Sequence, residues 1–412
     1  MFVLLACLFV VMVGFGITLP VLPFYVERLA LAEGVSGQSA AIHVGLLTGV
    51  YALGQLFFAP AWGRLSDRTG RRPLVLIGIG GYVIAQMLFG IATSLPLLYA
   101  ARILGGILSS ATLPVSAASV ADMTTEADRG RGMAWLGTAT SLGFVVGPAL
   151  GGVLSGRNVH VSARYGHLRI DSFSVPFFAA AGLGLLTLFA AMWWLPESRP
   201  ADPLPAAVDE PERAIGRWGL VRSLGPLLSL TLLGQFALAI FEATFALYGQ
   251  AKFNYGPADV GYAFVVCGLV MAVFQVGAVG VLSGRMSERV QIASGFGLMG
   301  ISLALLVMVS RRYAVLALVG MFALGTALIL PNLAALISKR GGSERAGAAL
   351  GAQSAANSLG QASGPFLGGA LFVWQMNAPY VLTAALLVSV ALAVASSALG
   401  ARPATVAEHL EE

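Results

Sequence analysis

The chain has 412 residues, of which 57% are hydrophobic and only 10% are charged, and its net charge is +5. A soluble globular protein carries about 25% charged residues, so most of this protein's surface does not face water. The two cysteines, Cys7 and Cys267, lie in apolar stretches, which excludes a disulfide framework and favours small core residues.

Apolar runs long enough to cross about 30 Å of hydrocarbon recur along the whole chain. The first run is too long for a cleavable signal and has no small-residue cleavage site. We therefore predict an all-α integral membrane protein with twelve spans. They lie at about 3–26, 42–62, 74–93, 96–121, 132–155, 174–195, 224–248, 258–283, 290–309, 314–337, 347–372 and 378–399.

The Lys and Arg residues are distributed unequally between the two sets of loops. Sixteen fall on the side of residues 63–72 and seven on the other, while Arg102 lies within a span, which accounts for all 24. The positive-inside rule then places residues 63–72 and both termini in the cytoplasm. Prolines interrupt the hydrophobic pattern between the halves. We predict an N-terminal six-helix bundle at 1–195, a cytoplasmic linker at 196–223, a C-terminal six-helix bundle at 224–400 and a cytoplasmic tail at 401–412.

The outer loop at 156–173 alternates in the manner of β-strands and predicts a small hairpin with a turn near Tyr165. It carries Arg157, Arg164, Arg169, His160 and His167. One interpretation of this hairpin is a lid-like structural element without a specific partner, and the other is contact with a partner or anionic lipid.

A constant shift of 217 positions relates landmarks in the two halves of the chain. It carries the basic segment Gly63–Arg72 onto the degenerate Gly280–Arg289, and Pro114 onto Pro331. Such an internal repeat indicates a duplicated unit, and paired repeats with basic loops are typical of secondary transporters. The same shift carries Gly143, Gly147, Pro148, Gly151 and Gly152 onto Gly360, Gly364, Pro365, Gly368 and Gly369.

The repeated segments resemble motifs of the major facilitator superfamily. Residues 63–72 resemble its motif A, 102–106 its motif B, and 143–152 its motif C, the antiporter motif of drug:proton exporters. The resemblance covers nearly the whole chain. It implies the major facilitator fold, two six-helix bundles related by pseudo-two-fold symmetry, with spans one, four, seven and ten lining a central cavity.

Two further segments narrow the resemblance. Residues 14–23 match the first-helix pattern of the twelve-helix drug exporters. Residues 241–248 and 252–259 are similar to the norfloxacin-type (quinolone) multidrug efflux pumps. The resemblance therefore implies a drug:proton antiporter.

Each motif also has a physical interpretation. The motif C glycines recur every four residues and share a helix face that allows close packing, and Pro148 can bend that helix. In motif A, Gly70 permits a tight turn, and Asp67 can accept hydrogen bonds from nearby arginines. The resemblance implies that this cluster latches a cytoplasmic gate in the outward-open state; a solvated basic loop is the alternative. The cluster comprises Gly63, Asp67, Arg68, Gly70, Arg71, Arg72 and Asp122.

Glu242 alone among the nineteen acidic residues lies well within a predicted span. An ionisable group there costs about 2.5–3.5 kcal/mol on insertion scales and indicates function. Its apolar neighbours disfavour the charged form, as proton coupling requires. Arg102 is the one cation within a span, and helix lengths place both residues about 9 Å deep on the outer side. We expect Glu242, with Arg102, to couple proton and substrate movement; a permanent ion pair and a purely substrate-binding carboxylate are the alternatives.

Two positions depart from the family pattern. Val11 and Ala327 stand where many relatives carry embedded acids in the first and tenth helices. Glu242 would then act without a carboxylate partner, so we predict at most one proton per cycle through this site. Export of a monovalent cation would be electroneutral.

Polar and aromatic residues within the spans are candidates for the wall of a largely apolar cavity that binds amphipathic compounds of varied shape. Helix packing is the alternative interpretation of each. The candidates are Phe15, Tyr25, Gln55, Gln235, Phe241, Phe245, Tyr248, Gln275, Asn332, Gln353 and Asn357.

Taken together, these features predict a monomeric multidrug exporter in a bacterial inner (cytoplasmic) membrane. Its predicted partners are a small amphipathic substrate, protons and the lipid bilayer, with no nucleic acid. No cofactor, metal site or enzymatic activity is expected, because the sequence has no nucleotide loop, metal cluster or nucleophile–base pair. A lipid or glycolipid flippase, or an exporter of a small metabolite, stays open as an alternative.

Overall fold

The computed structural model describes residues 1–34, 37–125, 128–156, 162–165, 168–198, 211–282 and 286–399. This part of the chain is almost entirely helical. The N-terminal half contains α1 (Phe2–Ala32), α2 (Gly37–Thr69), α3 (Arg71–Gly90), α4 (Leu95–Leu108), a 3-10 turn (Ser109–Ala111), α5 (Thr112–Met123), α6 (Arg129–Leu154) and α7 (Val175–Trp194). The C-terminal half contains α8 (Pro211–Phe253), α9 (Pro257–Leu282), α10 (Glu288–Met308), α11 (Arg312–Trp374) and α12 (Ala378–Leu399).

Eleven helical stretches of the described chain are long and apolar enough to cross a membrane. The fourth comprises α4, the 3-10 turn and α5, and the predicted eleventh span at 347–372 forms the second half of α11. That half is less apolar because glutamine, asparagine and serine recur along it. The prediction of an all-α membrane protein is confirmed.

Helix α11 must reverse direction although it is continuously helical. Its 63 residues would extend about 95 Å if straight, three times the thickness of a bilayer core. Both of its halves nevertheless pack on one stretch of α8: a Cβ on Gly234 would lie 3.4 Å from Ile329, and one on Gly360 would lie 2.9 Å from Phe236. The chain therefore turns back between residues 329 and 360, and α11 supplies two spans.

Helix α8 is longer at both ends than its predicted span of 224–248. It begins at Pro211, inside the predicted linker, and ends at Phe253. No proline between 212 and 225 interrupts it, and Asn254, with φ of 55°, ends it. This extension changes the depth of the residues that α8 carries.

The hairpin predicted from the alternating outer loop is present. Strand β1 (Ser162–Tyr165) pairs antiparallel with β2 (Leu168–Asp171), with Ser162 opposite Asp171. Asp171 forms an ion pair with Arg28 at the end of α1. Arg157, His160 and His167 lie outside the described residues, and the side chains of Arg164 and Arg169 are not described.

The two halves meet at one end of the helices. We call this end, which carries β1–β2, the hairpin side, and the end that carries the turn at Gly70 the linker side. A Cβ on Gly152 in α6 would lie 3.2 Å from the Gly261 Cα in α9, and one on Gly369 in α11 would lie 3.3 Å from the Gly45 Cα in α2. Residues 152 and 369 are related by the 217-position repeat, so the two contacts are pseudosymmetric.

A hydrogen bond also joins the halves on the hairpin side. The Gln250 amide of α8 donates to the Glu27 carboxylate of α1 at 2.5 Å. Together with the two glycine contacts, it closes the hairpin side and leaves any space between the halves nearer the linker side.

Candidate functional site

A cavity of about 450 Å³ lies between the two halves. Its wall residues Gly137 and Gln235 each lie fifteen positions from the hairpin-side contacts at Gly152 and Gln250, or about 22 Å along their helices. The cavity therefore lies on the linker side of the closure. It is lined by Met12, Phe15, Tyr51, Gln55, Leu113, Gly137, Thr140, Ser141, Phe144, Gln235, Leu238, Glu242, Gly268, Met271, Ala272 and Gln361.

Glu242 is the one charged side chain on the described wall of this cavity. It is only 6% exposed and forms no hydrogen bond or ion pair with other described residues. On the same helix, the neighbouring Phe241 and Phe245 pack into the C-terminal half rather than into the cavity. A buried carboxyl group without a partner can take up a proton or a cation.

Arg102 does not meet Glu242. The Arg102 guanidinium lies 5.0 Å from the Tyr51 ring centroid and 5.3 Å from that of Phe89, beside a separate chamber of about 20 Å³. No ion pair joins Arg102 to any carboxylate in the described part of the chain. The alternative of a permanent Arg102–Glu242 pair does not describe this conformation.

Unequal depths explain the separation. Arg102 lies seven residues from the hairpin-side end of α4, about 10 Å deep, whereas Glu242 lies eleven residues from the end of α8, about 16 Å deep. The predicted depth of about 9 Å for both was wrong for Glu242, because α8 extends to Phe253.

Three of the predicted cavity residues, Phe15, Gln55 and Gln235, lie on the wall together with Glu242, the predicted coupling residue. Gln353 and Asn357 are not among the wall residues, although both belong to α11, which also supplies Gln361. The side chain of Gln275 lies outside the described part of the chain.

Several other aromatic candidates are packing residues of one half. The Tyr25 hydroxyl donates to the backbone oxygens of Phe89 and Ala92 at 2.9 and 2.7 Å. The Phe241 ring packs at a tilt against Phe245 and Phe322, with centroids 4.9 and 4.6 Å apart.

The same is true of two polar candidates in the C-terminal half. Tyr248 packs on Tyr380, with ring centroids 4.4 Å apart, and accepts a hydrogen bond from the Lys252 ammonium. The Asn332 amide donates to Gln291 at 3.0 Å. Each of these side chains already has partners within its own half.

Several wall residues were not predicted, and Tyr51 is one of them. Its ring lies 6.0 Å from that of Phe15, and its hydroxyl lies 3.2 Å from the Ser109 hydroxyl. Tyr51 and Gln55 are four residues apart on α2, a spacing that places them on one helix face. Gln361 was also missed, although it continues the four-residue series of Gln353 and Asn357. The remaining unpredicted wall residues are Met12, Leu113, Gly137, Thr140, Ser141, Phe144, Leu238, Gly268, Met271 and Ala272.

The motif A residues form a cluster on the linker side, centred on Arg71. Its Nε donates to Asp122 at 2.8 Å, and its Nη1 donates to Asp67 and to the Ser66 hydroxyl, both at 2.6 Å. Gly70, with φ of 103°, makes the turn into α3, as predicted for this position. The cluster therefore joins α2, α3 and α5 within the N-terminal half.

A residue outside the motif completes this turn. The Glu197 carboxylate accepts hydrogen bonds from the backbone N–H groups of Arg71 and Arg72 at 2.8 and 3.2 Å, at the N-terminus of α3. Negative charge is favourable there because the unpaired N–H groups and the helix dipole both attract it. The Arg72 guanidinium donates to the Met192 carbonyl, while Gly63 faces open space and Arg68 lies on the exposed surface.

Exchange of Arg71 for lysine tests the geometry of the cluster. Lysine keeps the charge but cannot present the planar fork that reaches Ser66, Asp67 and Asp122 together. We expect Arg71→Lys to lower the free energy of unfolding by about 1–2 kcal/mol. Thermal unfolding in detergent measures this loss of stability, and Arg64→Lys, at an exposed arginine, is the matched control. Equal melting temperatures of the two variants would contradict the geometry.

Motif C packs against α1 on one side and α9 on the other. A Cβ on Gly143, Gly147 or Gly151 would lie 2.5–2.7 Å from a backbone oxygen or side-chain atom of α1. Pro148 lies against Gly261 of α9, so the same helix also meets the other half. In the repeat, Gly360 and Gly364 pack on α8 in the same manner.

Two related halves around a central cavity, built from spanning helices, are typical of secondary membrane transporters. Comparison with known proteins identifies the family. The Major Facilitator Superfamily model matches residues 4–321 and 252–411, and the chain belongs to this superfamily. It is therefore a transporter protein rather than an enzyme.

Curated relatives agree with the predicted resemblance. The chain is 28% identical to Multidrug resistance protein 2 of Bacillus subtilis over 92% of this chain and 90% of that protein. It is 31% identical to the class G tetracycline resistance protein of Vibrio anguillarum over 85% of each. It is 27% identical to the quinolone resistance protein NorA of Staphylococcus aureus over 92% and 91%.

Solved structures agree in fold. The human organic anion transporter MFSD10 (TETRAN) superposes with a TM-score of 0.68 at 21% identity, over 95% of this chain and 98% of that chain. At this identity the likeness shows the shared fold alone. The predicted family and fold class are confirmed.

Proposed function

We propose that the protein exports lipophilic cationic or zwitterionic compounds in exchange for protons. The observation that carries the proposal is Glu242, the lone charged side chain on the described wall of a large, mostly apolar cavity. Apolar and aromatic walls accept amphipathic compounds of varied shape, while one carboxylate selects for positive charge. The names of the relatives, multidrug and quinolone resistance proteins among them, support the same class of substrate.

The cavity geometry supports a cycle of alternating access. The excess of basic residues on the linker side supports its assignment to the cytoplasm, and the hairpin side is then external. A cationic compound enters from the cytoplasm or inner leaflet and pairs with ionised Glu242. Rocking of the halves breaks the hairpin-side contacts, a proton from outside displaces the compound, and the protonated carrier returns.

The Arg71 cluster fits the gating role that the resemblance implies. Its hydrogen bonds all lie within the N-terminal half here, with the halves apart on the linker side. In the opposite conformation, the closing linker side would bring this cluster against the C-terminal half. The bacterial inner membrane, cytoplasmic termini and a monomeric state belong to the same proposal.

Reconstitution in liposomes tests the function. We expect an imposed pH gradient to drive accumulation of amphipathic cations and zwitterions, with matching proton flux. Because a single carboxyl group lines the described cavity, exchange of one proton for one monovalent cation is electroneutral. A membrane potential at zero pH gradient should then drive no uptake.

Two outcomes would contradict the proposal. Uptake of a monovalent cation driven by potential alone would exclude one-for-one exchange. Movement of labelled lipid with no flux of drug-like cations or protons would instead support a flippase.

A further inference from the structure

The chamber beside Arg102 contains a positive charge that no described side chain neutralises. Arg102 is 5% exposed, and its guanidinium lies over the rings of Tyr51 and Phe89. Its Nε has no hydrogen-bond partner among the described residues. Aromatic faces attract a cation, but they do not accept its N–H hydrogen bonds as a carboxylate or halide does.

A second unpaired polar group faces the same chamber. The Gln86 side chain is 6% exposed, its amide nitrogen lies beside the Tyr82 hydroxyl, and its Oε1 has no partner among the described residues. The absence of a side chain at Gly14 leaves this room, since a Cβ there would lie 2.2 Å from the Tyr82 hydroxyl oxygen. The chamber of about 20 Å³ is large enough for one water-sized particle.

The charge balance of the chamber favours an anion over water. An isolated charge away from water is strongly unfavourable, and leaving a buried charge without its partner is strongly destabilising. Val11 contributes only apolar surface to the chamber wall, and Glu242 lies on the wall of the other cavity. The walls thus supply donors and aromatic faces but no negative charge.

We propose that this chamber binds a small monovalent anionic group, held by the Arg102 guanidinium and the Gln86 amide. Rotation of the Gln86 amide by half a turn places its N–H₂ toward the anion. Two sources supply this chemistry: a free halide such as chloride, and the carboxylate of a zwitterionic substrate. Phe15 and Tyr51 line both the chamber and the main cavity, so the two sites are neighbours.

Thermal unfolding of the full-length protein in detergent tests the site without transport. Sodium gluconate is replaced by sodium chloride or bromide at constant ionic strength. We expect a saturable rise of roughly 1–3 °C in the melting temperature with either halide, because a ligand of the folded state stabilises it. The Arg102→Gln variant should lose this response, whereas Arg131→Gln, an exposed arginine outside the chamber, should keep it.

A second variant keeps the test decisive if Arg102→Gln does not fold. Val11→Asp places a carboxylate in the chamber and retains Arg102, so it should remove the halide response. A halide response that both variants retain would overturn the proposal.

Measurements in halide-free buffer distinguish the two sources of the anionic group. An amphipathic amine that bears one carboxylate is compared with its methyl ester. Stabilisation by the acid alone, lost in Arg102→Gln, assigns the chamber to the substrate carboxylate, while a halide response unaffected by the acid assigns it to free halide. If neither halide nor acid stabilises the protein through Arg102, the chamber is not an anion site. This result is independent of proton-coupled export, because neither measurement requires transport.

Discussion

Glu242→Gln should abolish proton-driven export and leave binding of neutral amphipathic compounds intact. The amide matches the carboxyl group in shape but cannot exchange a proton or carry a charge. At an effective dielectric constant of about 20, opposite charges 4 Å apart gain about 4 kcal/mol. Affinity for a monovalent cation should therefore fall by about two orders of magnitude or more, at 1.4 kcal/mol per factor of ten. Uptake into inverted vesicles under an imposed pH gradient, with equilibrium binding in detergent, measures both effects.

Two further variants separate charge from structure. Glu242→Asp keeps an ionisable group on the wall and should retain part of the proton-driven export. Glu33→Gln makes the same acid-to-amide exchange outside the cavity, where Glu33 accepts from the Leu95 N–H, and should leave export unchanged. Undiminished export by Glu242→Gln at a saturating pH gradient would refute the assignment of proton coupling to this residue.

The sequence predicted Glu242 and three other wall residues but missed most of the cavity wall, and two tyrosines show why. Tyr25 and Tyr51 both lie in apolar spans, but Tyr25 turns into the N-terminal half and bonds backbone oxygens of Phe89 and Ala92, whereas Tyr51 lies on the wall. In a membrane, the lipid face and the packed face of a helix are both apolar, so hydrophobic periodicity does not reveal which face borders the cavity. A buried charge is an exception, because only a functional role offsets its cost.

The depth of Glu242 along its helix was also not predictable from the sequence pattern. The end of α8 depends on a single residue, Asn254, whose positive φ stops a helix that otherwise continues past the apolar run. The polar residues Gln250 and Lys252 resemble the start of a loop. Both instead form side-chain hydrogen bonds within the protein, and the helix continues through them. The five added residues move Glu242 about 7 Å deeper than the apolar run alone indicates.

The glycine contacts fall into two groups: contacts within one half, which alternating access preserves, and contacts between the halves, which it breaks. A Cβ on Gly147 would lie 2.5 Å from the Val13 backbone oxygen, within the N-terminal half. A Cβ on Gly45 would lie 2.5 Å from the Pro365 backbone oxygen, across the two halves. The clashes are equally severe, but only the second is relieved when the halves separate on the hairpin side.

We therefore expect Gly147→Val to prevent folding and Gly45→Val to fold in the opposite conformation. Overpacking against a backbone that cannot move away costs several kcal/mol, enough to remove most of the stability of a protein. In Gly45→Val, separation of the halves on the hairpin side should expose Ala258, which lies at the other interface between them, against Gly152.

Purification yield, melting temperature and thiol labelling of an Ala258→Cys reporter distinguish the two variants. The native Cys7 and Cys267 are buried and should add little background. Gly182→Val is the matched control, because no atom lies within 4 Å of the position its Cβ would take, and it should leave both folding and labelling unchanged. If Gly45→Val fails to fold as Gly147→Val does, or folds without increased labelling, the hairpin-side contact is a fixed packing contact rather than one that opens.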